Sequence, residues 1–216
     1  MLRKPPLEIL IATSNAGKIR ELHDALQKLP VKLRYLTEFP DVSPVDEVGH
    51  TYEENAILKA LGYSAQTGIS ALADDSGLEV VALGGIPGVL SARFGGENAS
   101  DRDRTEKLLR LLTPYRDRER AARFVCCMAF AGWSPDDSED RTPEPRVLNV
   151  SEGTCEGLIA VEPRGIRGFG YDPVFIPHGY GDTFGELPEE VKRRLSHRAK
   201  ALSAMRTFLT QFLTLT

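Results

Sequence analysis

The sequence predicts an α/β protein built on a mixed sheet, and three observations carry that prediction. Short apolar, β-branched runs recur at Leu7–Ala12, Val31–Tyr35, Ser70–Ala73, Leu78–Leu83, Arg123–Ala131, Val147–Cys155 and Pro173–Ile176. Most have Gly, Pro or Asp-Ser near their ends, as strands do. Segments of helical period separate the early runs, whereas several later runs follow one another directly, which favours a mixed sheet over pure βαβ winding. The 216 residues suffice for one large domain or two small lobes sharing a core.

Leu7–Ala12 reads as the first strand. In "NAGKIRELHDALQKL" the apolar residues Ile19, Leu22, Leu26 and Leu29 share one helical face, and Ser14 or Asn15 can cap the helix. Thr51–Ala65 reads as a second helix, with Asn55 and Lys59 as i, i+4 neighbours on a polar face and Ile57 and Leu61 turned into a core. "ALADDSGLEV" reads as two strands meeting at an Asp-Ser-Gly turn, with Asp74 and Asp75 where the first one ends. Asp101–Leu112 is a third helix. Residues 149–159 alternate poorly, so the strand there is weakly marked. In Pro188–Phe212 an apolar stripe runs through Leu195, Ala199, Leu202, Met205, Leu209 and Phe212, and Ser196 can cap a second helix after a break. The Pro-rich, charged Ser134–Arg146 segment reads as a solvated hairpin loop, and no internal repeat is present.

Composition narrows the function classes. Hydrophobic content of 41% and charged content of 27% are ordinary for a globular protein, and a net charge of −4 offers no basic field for nucleic acid. A small phosphorylated ligand needs only a local cationic pocket. No apolar run reaches the roughly 18 residues of a membrane span, and the N-terminal apolar stretch is too short for a signal peptide, so no membrane partner and a cytoplasmic location are expected. Cys126 and Cys127 are neighbours, which face opposite ways on a strand, so they read as reduced packing residues. No CxxC zinc pattern occurs.

Six short stretches could carry chemistry, and each has a plain structural reading beside it. "TSNAGK", Thr13, Ser14, Asn15, Ala16, Gly17 and Lys18, follows a strand and opens a helix, where free N–H groups and the dipole suit phosphate. It lacks the Gly and Ser/Thr of a Walker A loop, and a capped helix with a surface lysine explains it equally. Asn55 and Lys59 could belong to a solvated face, and Glu47 lies just ahead in a loop. Asp74 and Asp75 could bind a hard cation or simply make a turn. "LGGIPGVLSARFGG" lets backbone approach a ligand closely or marks turns. "GFGYDPVF" offers Phe169 and Tyr171 for stacking on a flat base and Asp172 to accept a ring N–H, or is a packed turn. "KRRLSHRAKAL" sets Lys192, His197 and Arg198 around a possible cap, or is a solvated basic run.

In combination these stretches resemble the inosine/xanthosine triphosphate pyrophosphatase family, from Ile9 to about Leu202. "ATSNAGKIREL", "GHTYEENAILKA", "ADDSGLEVVALGGIPGVLSARFGG", "RGFGYDPVF" and "SHR" appear in that family's order, and five ordered motifs are far more specific than any one. Departures are small: Ser14 stands where Gly is frequent and Tyr52 where Phe is frequent. The resemblance implies a single elongated α/β domain with a long mixed sheet, flanking helices and two lobes around a central active-site cleft. It implies a Mg²⁺-dependent homodimer that cleaves noncanonical purine nucleoside triphosphates to the monophosphate and pyrophosphate. Residue by residue, it implies that Thr13–Lys18 hold phosphates and that Lys59 approaches the triphosphate. Asp75 is then the general base and a metal partner, Glu47 the other metal-linked carboxylate with Asp46 a weaker candidate, and Ser76 a substrate contact. Phe169, Gly170, Tyr171 and Asp172 line the base pocket, and Lys192, His197 and Arg198 contact the base.

Three rivals stand beside this reading. Against a septum-inhibitor-like pyrophosphatase of different base preference, the "SHR" and "DDSGL" stretches favour the purine branch. A non-catalytic nucleotide-binding module would have no use for a water-activating acid. A nucleic-acid-binding domain sits badly with an acidic chain.

Overall fold

Two five-residue strands, LEILI and VKLRY, with a helix between them build the start of the fold. A computed structural model describes residues 6–96, 98–133 and 144–215. Strand β1 (Leu7–Ile11) leads to helix α1 (Ala16–Leu26), then β2 (Val31–Tyr35), α2 (Tyr52–Thr67) and β3 (Ser70–Val80). Next come α3 (Asp101–Leu111), β4 (Ala121–Gly132), β5 (Arg146–Ile159), β6 (Phe175–Pro177), α4 (Glu189–Leu195) and α5 (His197–Leu215). The strands form one sheet of order β2-β1-β3-β4-β5-β6. β1 runs parallel to β2 and β3, whereas β5 and β6 are antiparallel, so the sheet is mixed as the sequence predicts. No helix among the described residues is long and apolar enough to cross a membrane.

The chain divides into two compact units. One comprises Met1–Asp75, Cys127–Glu152 and Ala201–Thr216; the other comprises Ser76–Cys126 and Gly153–Lys200. The first buries Ile9, Leu10, Ile11, Leu22, Leu26 and Leu72, and Phe130 meets Phe212 edge-on at 5.8 Å between ring centroids. The second has its own core, in which Leu78, Leu108, Phe124, Tyr171, Phe175 and Phe184 are buried together.

The helix starts obey their sequence signals. Asn15 caps α1, Thr51 and Glu54 form a capping box on α2, and Ser100 and Asp103 form one on α3. Ser196 has extended backbone between α4 and α5, and its hydroxyl accepts from the Ala199 amide at 3.1 Å, as expected of a cap after a break. Cys126 and Cys127 are buried without a disulfide, as expected, and so is Cys155.

Several expectations need correction. Ser70–Ala73 and Leu78–Leu83 are not two strands around a turn: β3 runs unbroken from Ser70 to Val80, and Val81–Leu83 is a 3₁₀ turn. Asp74 and Asp75 therefore lie in mid-strand. Ile57 and Leu61 are only half-buried; the inward face of α2 is Tyr52, Asn55, Ala56, Lys59, Ala60 and Ser64. The strand at Val147–Cys155 extends on to Ile159, and that at Pro173–Ile176 shortens to Phe175–Pro177 because residues 172–174 form a 3₁₀ turn. Of the loop expected at Ser134–Arg146, residues 134–143 lie outside the described residues, and Arg146 already opens β5.

Candidate active site

β3 is buried along nearly its whole length, yet it carries two adjacent acids. Asp74 is 1% exposed and Asp75 6%. A buried carboxylate is costly unless paired, so such acids mark a built arrangement. Asp74 Oδ2 lies 3.0 Å from Lys18 Nζ, in the first turn of α1. Asp75 Oδ2 accepts from the Asn55 carboxamide at 3.2 Å, and its Oδ1 lies 3.8 Å from Lys59 Nζ. Lys59 also donates to Glu47 at 2.7 Å. Neighbouring side chains of an extended strand diverge, and the two acids accordingly engage different lysines.

Asn55 and Lys59 are not on a solvated face: they are 1% and 8% exposed. Asn55 is a member of the cluster that the residue pattern left unassigned. Its Oδ1 also accepts from the Gly49 amide at 2.8 Å, and a Cβ at Gly49 would sit 2.8 Å from that oxygen. The spacing of four from Lys59 on a capped helix was the available signal.

The electrostatics follow from burial and from the crowd of charges. Burial pushes the Asp75 carboxyl above its ordinary value and Glu47 adds to this, against the pull of Lys59, Lys18 and Asn55. Burial pulls the Lys59 ammonium down, but Asp74, Asp75 and Glu47 outweigh it and hold the group above its usual value. Asp75 is thus a stronger base than an ordinary aspartate beside a lysine that stays charged.

The phosphate loop is partly self-satisfied. The Asn15 carboxamide accepts from the amides of Gly17 and Lys18 at 2.9 and 3.1 Å, and Thr13 Oγ1 accepts from the Asn15 amide at 3.2 Å. Two of the helix-start donors expected for phosphate are therefore already engaged by the cap. The exposed Ser14 and Ala16 remain for a ligand to meet, and the Lys18 ammonium would meet it while paired with Asp74.

Glu47 and Asp75 offer hard oxygen donors around Lys59, the donor type that suits Mg²⁺. No group of three or more His, Cys, Asp or Glu side chains among the described residues could hold a metal. Two carboxylates fit an ion that completes its shell with water and substrate phosphates. The charge of Glu47, which raises the Asp75 carboxyl, is what a cation there would offset. Asp46 is exposed and makes a weaker candidate than Glu47.

The second unit gathers the remaining expected residues. Asp172 is 3% exposed; its Oδ2 accepts from Lys192 Nζ at 2.6 Å and from the Phe169 amide at 2.7 Å. The Phe169 ring has Lys192 Nζ at 4.4 Å and the Arg198 guanidinium at 5.7 Å from its centroid. Arg198 donates to the Ser76 hydroxyl at 2.8 Å. Gly168 has φ of 77°, and a Cβ there would fall 2.0 Å from Asp172 Oδ2, so glycine alone allows this carboxylate so near. Two expected residues turn elsewhere. Tyr171 is buried in the core with its hydroxyl donating to the Ser91 carbonyl at 2.9 Å. His197 is buried and stacks on Phe124, with centroids 4.6 Å apart and planes 13° apart. Phe169, Asp172, Lys192, Arg198 and Ser76 are the group that the structure brings together.

The Ham1 family model matches residues 9–208, almost the whole chain. The chain belongs to the Ham1 family. Among Ham1 relatives, the dITP/XTP pyrophosphatase of Geobacillus kaustophilus is 46% identical over 198 residues, which is 92% of each chain. That of Coxiella burnetii is 42% identical over 205 residues, 95% of this chain and 98% of the relative. A solved HAM1 protein from Coxiella burnetii superposes with a TM-score of 0.82 at 41% identity, over 95% of this chain and 99% of that one. The Staphylococcus aureus Ham1 protein gives 0.79 at 38% identity, over 94% and 98%.

Proposed function

We propose that this Ham1 protein hydrolyses the triphosphates of inosine, deoxyinosine and xanthosine to the monophosphate and pyrophosphate, removing them from the nucleotide pool. The observation that carries the reading is Asp75, a buried, basic carboxylate in a central strand, set between Asn55 and Lys59 with Glu47 on the same lysine. A module that only bound nucleotide would have no use for it.

In this reading Asp75 accepts a proton from the attacking water, and its raised affinity for a proton suits that task. Lys18 and Lys59 set positive charge against the phosphates, where positioning and electrostatics carry most of the barrier to phosphoryl transfer. Mg²⁺ held by Glu47 and Asp75 would supply further positive charge to the phosphate oxygens. Phe169 gives the base a face to stack on. Lys192 and Arg198 offer donors to the 6-oxo group, while an adenine amino group would face donors and leave them unmatched, which a buried site penalises strongly. A homodimer in the cytoplasm completes the proposal; light scattering on the eluted protein checks the dimer.

The test is a product assay with inosine triphosphate, with and without Mg²⁺, and adenosine triphosphate alongside. Monophosphate and pyrophosphate from the inosine substrate alone, and only with metal, is the expected result. Diphosphate and orthophosphate would place the cleavage elsewhere, and no turnover by folded protein would leave a binding module.

A further inference from the structure

Asp101 opens α3 and belongs to none of the five motifs that match the family. Its Oδ2 accepts from the Gly170 amide at 2.7 Å, across 69 residues of sequence. Its other oxygen pairs with Arg104. Arg104 in turn donates to the carbonyls of Ala92 at 2.6 Å and Ala99 at 3.0 Å, so the carboxylate is held from behind.

The loop it grips needs holding. Phe169 is flanked by Gly168 and Gly170, both with left-handed backbone at φ of 77° and 60°, the conformation that glycine adopts freely. Phe169 itself is only half-buried, so packing alone does not fix its ring. Backbone bonds do: the Phe169 amide goes to Asp172 and the Gly170 amide to Asp101. Of these two carboxylates, only Asp101 reaches the loop from a different element.

We propose that Asp101 is a positioning residue for base recognition: by holding the Gly170 amide it fixes the Phe169 ring beneath Lys192 and Arg198. This rests on the reading of Phe169 as the surface on which the base stacks. Loss of the latch loosens a binding surface and leaves the reacting groups in place. It therefore raises KM and spares kcat.

The experiment compares wild type with Asp101→Ala and Asp103→Ala. Asp103 caps the same helix through Ser100, whereas the Gly170 amide bonds to Asp101, so Asp103 reports the cost of weakening α3 alone. With deoxyinosine triphosphate and Mg²⁺, Asp101→Ala is expected to raise KM about five- to tenfold with kcat within about twofold. Exchange of the Gly170 amide hydrogen, followed by NMR without nucleotide, should quicken by at least about tenfold. Asp103→Ala should lower Tm and leave both readouts unchanged. Unchanged KM in Asp101→Ala, or an equal rise in Asp103→Ala, overturns the proposal. Wild-type protein without turnover on any purine triphosphate removes the functional reading instead. In that case an unaltered Gly170 exchange rate in Asp101→Ala would still overturn the latch.

Discussion

Asp75 is asked to be both buried and ionised, and the two demands oppose each other. Burial strips it of most of its hydration, and Lys59 at 3.8 Å only partly makes up for that loss, so its carboxyl stays above the ordinary value. If it takes the proton from water, Asp75→Asn should lower kcat by about 10²–10⁴, the usual worth of a positioned general base. The same substitution should not harm the fold. A carboxyl whose value is raised on folding stabilises the native state while protonated, and that contribution is lost as pH rises through the folded value. Asp75→Asn should therefore match wild type in Tm in acid and match or exceed it near neutral pH, followed by calorimetry across pH. A variant that lost both activity and stability at pH 7 would make Asp75 a structural residue. In the metal-free wild type, the Asp75 carboxyl should titrate above the ordinary aspartate range when followed by NMR, and Lys59→Gln should move it higher, because Lys59 pulls the Asp75 value down.

At the scale of elements, what could be read in the sequence depended on whether side-chain size reports burial. α1, α3 and the first strands show their apolar faces openly. β5 does not, although burial alternates strictly from Ser151 to Ile159. Its inward positions are Ser151, Gly153, Cys155, Gly157 and Ile159, mostly too small to register as hydrophobic. α2 hides its face in the same way, since Ala56, Ala60 and Ser64 pack inward while bulkier Ile57 and Leu61 lie at its margin. β3 misleads for a different reason. Asp-Asp-Ser-Gly is turn chemistry locally, but lysines from α1 and α2 pair the acids and let the strand continue. The lysines and acids of the site were legible as motifs; the pairing that joins them, and the inward turn of Tyr171 and His197, were not. β5 offers a direct check of the size argument. A Cβ on Gly157 would fall 2.3 Å from the Ile176 carbonyl oxygen on β6 and 2.6 Å from the Phe175 ring. Gly157→Ala should cost about 1–3 kcal/mol by overpacking. Glu156→Ala, next to it on the exposed side, should stay within about 0.5 kcal/mol in denaturant titrations.

For the whole molecule, the three cysteines provide an internal gauge of opening. Cys126, Cys127 and Cys155 are all buried as free thiols, so both compact units carry a reporter. Burial pushes the Cys127 thiol up to about 12, helped by the charge of Glu152, and the Cys155 thiol up to about 11. The thiolate is the reactive form, so at pH 8 each is both shielded and protonated. A disulfide reagent should therefore label native protein slowly and denatured protein at once. Labelling then measures how often the structure opens. A ligand that binds only the folded state stabilises it by RT ln(1 + [L]/Kd), about 2.7 kcal/mol at a hundredfold excess over Kd. If the thiols react through global unfolding, deoxyinosine monophosphate at that excess should slow all three by about 100-fold. If they react through local opening, sites will respond unequally. Cys155 would be slowed while Cys127 was not, or the reverse, and the pattern would identify which unit the nucleotide steadies. Equal labelling with and without nucleotide, at concentrations that inhibit turnover, would mean that the opening which exposes the thiols leaves the binding site intact.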